Sequence, residues 1–190
     1  MSESDTEWAL RIAQYRNEEP IVTILETVKK PRFVSDPSVE LELKSYFLFI
    51  QKNESKHKSI RGPADYETAF EIFEELQVKK DRVAEILLTY QRISSDLDRL
   101  REVAKDHIIL KREVLNARSE AVRMAIVART VPELDDLIAN INAIIQSAEI
   151  LTKNMNKTYD ILHTQVDTVK QVMYWRNIAL PSDKPSSLKF

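Results

Sequence analysis

The chain has 190 residues, 31% of them charged and 43% hydrophobic, with a formal net charge of −2. This composition folds, but the charge gives no global attraction to nucleic acid or to an anionic membrane. Gly62 is its single glycine and cysteine is absent, which excludes glycine-built phosphate loops, dinucleotide fingerprints and nucleophile elbows as well as disulfides, thiolate metal sites and cysteine nucleophiles.

The amino terminus, Met1-Ser2-Glu3-Ser4-Asp5, is acidic and leads into no apolar core, so it does not read as a secretory signal. Ser4 stands three residues before Glu7, the spacing of a capping box, and Trp8, Ile12 and Tyr15 follow at helical intervals. A short amphipathic helix is expected over Ser4 to Arg16. Asn17-Glu18-Glu19 before Pro20 offers a cap and first turn for a second short helix carrying Ile21, Ile24, Leu25 and Val28.

Asp36-Pro37 pairs a capping residue with proline at the first helical position, which predicts a third helix over about Pro37 to Lys52. Its aromatic run, Tyr46 to Ile50, has the length of a buried strand, but the chain offers no second strand to pair with it. The run is also far too short to span a bilayer. The expected location is therefore cytoplasmic or otherwise intracellular and soluble, with membrane not a partner.

Asn53 to Gly62 is polar and basic and reads as a linker. From Pro63 to Arg129 there is then no proline or glycine, and apolar residues recur at three-four spacing through Leu76, Val83, Ile86, Tyr90, Ile93, Leu97, Leu100, Ala104 and His107. The seam continues less strictly through Val114, Ala121 and Ala125. A heptad pattern this long predicts one helix with coiled-coil packing, about 100 Å long at 1.5 Å per residue.

Thr130-Val131-Pro132-Glu133 reads as a fresh capping box. Beyond it a second heptad stripe, Leu134, Leu137, Ile141, Ile144, Ala148, Leu151, Met155, Leu162, Val169 and Val172, runs to about Ile178, before Pro181. Two long helices with so short a connection form an antiparallel hairpin turning near Thr130. Counting outward from that turn sets Met155 near Lys105 and Met173 near Leu87. Pro63 to Asp81 is then left uncovered, with Ala69, Phe70, Ile72, Phe73 and Leu76 on it. The three short amino-terminal helices are expected to cover this stretch as a small head.

The expected fold is therefore all-α, a long coiled-coil-type helical hairpin over 63–179 with an amino-terminal head and basic linker over 1–62. An extended tail, 180–190, holds two prolines and three serines.

The three histidines, His57, His107 and His163, have no metal-ligand spacing, and His107 reads as a polar residue of the seam. Carboxylate neighbours such as Asp96 with Asp98, Glu74 with Glu75 and Asp135 with Asp136 sit on helices of mixed charge and read as solvated faces. No catalytic residues, metal, cofactor or small-molecule substrate are expected, and the chain reads as a non-enzyme.

Eight basic residues between Arg99 and Arg129 face four acids, Glu102, Asp106, Glu113 and Glu120. Ion pairing, partly with Glu133, Asp135 and Asp136, is the expected use of that excess. The wide apolar stripes exceed what a two-helix seam buries. Leu97, Leu100, Leu110, Leu115, Val122, Ile126, Ile138 and Ile145 are the residues expected to meet a second copy of the chain or another helical subunit.

The functional expectation is a structural or assembly protein, acting by self-association as a homo-oligomer or within a heteromeric helical complex. The alternative is a homo-oligomeric nucleic-acid adaptor of the loader or packaging-ring type, with Lys52, Lys56, Lys58, Arg61, Arg118 and Arg123 as the residues contacting phosphate. The Lys52 to Arg61 segment lacks the aromatic interleaving that single-strand binders use for base stacking.

Overall fold

The computed structural model describes residues 3–34, 36–54, 65–117 and 119–179. The tail from Leu180 onward and most of the basic linker lie outside the described residues. Within them every regular element is helical: α1 (Glu3–Arg16), α2 (Ile21–Val28), a 3-10 turn (Pro31–Phe33), α3 (Pro37–Glu54), α4 (Tyr66–Ile109), α5 (Arg112–Leu115), α6 (Glu120–Thr130) and α7 (Pro132–Ala179). The all-α expectation holds, and none of these helices is long and apolar enough to cross a membrane.

The chain divides into two units, Met1–Leu43 with Ala84–Glu149, and Lys44–Val83 with Ile150–Phe190. In the first unit α4 and α7 run antiparallel. Arg101 Nε lies 3.2 Å from Asp135 Oδ1, and Ser94 Oγ donates to Asn142 Oδ1 at 3.2 Å. In the second unit they are again antiparallel: Phe73 meets Tyr159 edge-on with centroids 5.0 Å apart, and the Tyr66 hydroxyl donates to Met173 Sδ at 3.8 Å.

These pairs correct the expected register. Met173 lies at Tyr66, where counting from a turn at Thr130 had set it near Leu87. The cause is an elbow that the seam does not announce. α4 stops at Ile109, and α5 and α6 follow as separate short helices. Ile108 and Val114 on either side of the break are fully buried, whereas Leu110 is 74% exposed. Asn116 to Glu120 contributes no large apolar residue, and Ser119, in extended backbone, caps α6 by accepting from Val122 N at 3.3 Å.

The junction at 130–132 is real, but its chemistry is not the expected capping box. Thr130 ends α6, and its hydroxyl donates back to Ile126 O at 2.8 Å. Of the three amino-terminal helices, α3 packs on the described part of the 63–81 stretch, with Phe49 against Ala69 and Ile72, whereas α1 lies elsewhere. α1 packs on α6, and the backbone N–H of Asp36 reaches the Tyr90 hydroxyl at 3.4 Å. In the second unit α7 itself covers the stretch, with Ala69 and Ile72 clustering with Leu162 and Val166 and with Phe49 of α3.

Two local readings also resolve. Asp36 caps α3, its Oδ1 accepting from Ser38 N at 2.8 Å, and the Tyr46 to Ile50 run is helical. For α2, Pro20 occupies the cap position without a side-chain cap bond. Asn17 instead donates back to Ala13 O at 3.0 Å.

Leu162→Ala, at a fully buried site, should cost about 2–5 kcal/mol of stability. Leu110→Ala, at 74% exposure, should change it by about 0.5 kcal/mol or less. Urea unfolding of the two variants checks this, and equal losses would contradict the described core.

Candidate functional site

In the first unit the side chains of α1 and the α1–α2 connection converge on both ends of the elbow. Arg16, in the last turn of α1, donates through Nη1 to Thr130 O at 2.8 Å and to Glu133 Oε2 at 3.1 Å, while its Nη2 takes the other carboxylate oxygen. The fork thus satisfies a carbonyl that ends α6 and a carboxylate that opens α7, the bidentate geometry a lysine lacks. It raises the Arg16 pKa and holds the Glu133 carboxyl below its ordinary value.

At the other end Glu18 accepts from Lys111 Nζ and lies 3.2 Å from His107 Nε2. Arg11 reaches Glu113 at 3.9 Å. The hydrogen bond from Lys111, more than the one from His107, holds the Glu18 carboxyl below its ordinary 4.5. Neither Arg16 nor Glu18 was legible as a tertiary contact in the sequence, where Glu18 reads as a helix cap, because partners more than eighty residues away carry no local signal.

The residues expected at a partner interface separate into two sets. Leu97, Ile126 and Ile138 are buried within the first unit and offer no surface, and Leu100 and Ile145 are half-buried. Leu110, Leu115 and Val122 stay exposed, at 74%, 46% and 44%. The exposed set brackets the elbow, where the three-four spacing points side chains away from a core that has turned aside.

Of the residues expected to contact nucleic acid, Lys56, Lys58, Arg61 and Arg118 lie outside the described residues. Lys52 sits in the last turn of α3, beside Glu71 and Glu75 of α4. Arg123 is half-buried on α6. Of the eight basic residues, Arg101 pairs with Asp135 as expected, Lys105 with Glu102 at 3.0 Å and Lys111 with Glu18, whereas Glu133 goes to Arg16.

The second unit holds a groove of ≈ 420 Å³ between α4 and α7, floored by Ala69, Phe73, Tyr159 and Val166. Phe70 stands on its rim at 60% exposure. Polar residues edge it: Glu74 from α4, and His163, Asp167 and Lys170 from α7. Asp167 is already engaged along its own helix, 3.1 Å from His163 Nδ1 and 3.6 Å from Lys170 Nζ. On the 100° helical wheel, the groove residues of both helices lie opposite those that meet α3, such as Thr68, Ile72, Thr158 and Ile161. α3 therefore covers one face of the α4/α7 pair, and the groove lies on the other. Among the described residues no cluster of His, Asp and Glu could hold a metal ion.

Because the folded-state carboxyl of Glu18 titrates below 4.5, its stabilisation is complete above that value and is lost as pH falls through the lower folded-state pKa. The unfolding midpoint of the chain should fall between about pH 5 and 3, the carboxylate window, and Glu18→Gln should lower the midpoint at neutral pH and flatten that fall. Parallel curves for the two proteins would show that Glu18 does not contribute. Comparison of the chain with protein-family models, with curated proteins and with solved structures finds no match in any of the three.

Proposed function

We propose that the chain is a non-enzymatic helical assembly subunit, working through contact with a second copy or with another helical protein. One observation carries this reading: among the described residues, large apolar side chains stay exposed in groups. On α7 of the second unit Val172, Tyr174 and Trp175 are 47%, 64% and 66% exposed within four residues, and Phe70 of α4 is 60% exposed. Isolated exposed apolar residues are ordinary. Grouped aromatics are the composition of binding surfaces, where they supply large contact area at small entropic cost.

The antiparallel α4/α7 pair supports the same reading. Its exposed faces are rigid helical surfaces, and helix-in-groove contact is a standard way for such surfaces to meet a partner.

Light scattering of the purified chain at micromolar concentration should give a mass above the 22.1 kDa of one chain, or a stable complex with a helical partner. A monomer that retains no partner would sink the proposal. The same measurement at low salt with added DNA or RNA tests the nucleic-acid alternative, in which association must weaken steeply as salt rises.

A further inference from the structure

We infer that the groove on the open face of the α4/α7 pair in the second unit is the seat of a second copy of the same face, two antiparallel pairs closing into a four-helix arrangement. The inference rests on the assembly reading and names its partner and surface.

Three observations point to a copy of this chain as the occupant. Phe70 lines the groove and also projects from its rim at 60% exposure, so each copy carries both a knob and the hole that receives it. A two-fold contact requires this self-complementarity. The α4/α7 pair is antiparallel, so a two-fold axis along the helices sets α4 of one copy against α7 of the other with every neighbour antiparallel, the arrangement of up-down bundles.

The charges repeat in matching register. On α4, Glu67 and Glu74 are spaced by one heptad, and on α7, His163 and Lys170 are spaced likewise. The described pairs Phe73 with Tyr159 and Tyr66 with Met173 set Glu74 level with His163 and Glu67 level with Lys170. The copy therefore sets Glu67 of α4 against Lys170 of the facing α7, twice across the two-fold axis. Asp167 lies beside Lys170 on α7, 3.6 Å from its Nζ.

The test is the mass of the full chain across a dilution series, with helix content and unfolding followed in parallel. Phe70→Glu should shift the chain to monomer at concentrations where the unaltered chain assembles, with its fold retained. Lys170→Glu should weaken association about tenfold, the scale of two symmetry-related exposed pairs, and Glu67→Lys added to it should restore association.

Assembly of F70E and K170E at unaltered strength would overturn the inference while leaving the assembly reading in place, with the interface elsewhere. A monomeric unaltered chain would also overturn it. If a different helical partner then binds and F70E abolishes that binding, the groove belongs to that partner and not to a second copy.

Discussion

The structure depends on a seven-residue period of burial along its two longest helices. On α4 the deeply buried positions Ala69, Leu76, Val83, Tyr90, Leu97 and Ala104 are each seven apart, and on α7 so are Leu134, Ile141, Ala148, Met155 and Leu162. Each of these is at most 6% exposed. A strict seven-residue repeat keeps one stripe of a helix turned toward its neighbour over many turns. In each unit the other elements pack around this pair, and so its register decides where every other contact falls.

In the first unit that register competes with local preference and wins. Nothing between Tyr66 and Thr130 forbids a continuous helix, and helix propensity is only a weak prior against tertiary packing. Turning at Leu110 buries Val114, Ile126 and Val127, each worth about 1.5–3 kcal/mol when taken from water, against the few backbone bonds lost at the elbow. Arg16 then donates to the carbonyl that ends α6, and Glu18 accepts from the Lys111 side chain beside the break. The exposure of Leu110, Leu115 and Val122 follows from the same turn.

Among the described residues of the second unit the pair is covered on one face by α3 and left open on the other. Phe49 and its neighbours close the first face, and the aromatic floor of the groove marks the second. An antiparallel helix pair with one cover is an incomplete bundle, since the apolar stripe of each helix exceeds the width that two neighbours bury. That geometric shortfall is the support for the proposed assembly role.

Sequence alone determined the helical class, the proline-marked starts at Pro37 and Pro132, the Asp36 cap and the two buried stripes, because caps, breakers and periodicity act over a few residues. The excess of apolar surface was legible for the same reason. Tertiary structure alone decided the elbow at Leu110, the slide that sets Met173 at Tyr66, and the docking of α1 on α6 while α3 packs at Ala69 and Ile72. It also decided which of the eight residues expected at an interface stay in water. Those outcomes turn on which of several equally periodic registers buries the most surface, and on Arg16 and Glu18 finding partners far along the chain. A heptad pattern is the same in every register and carries no record of that choice.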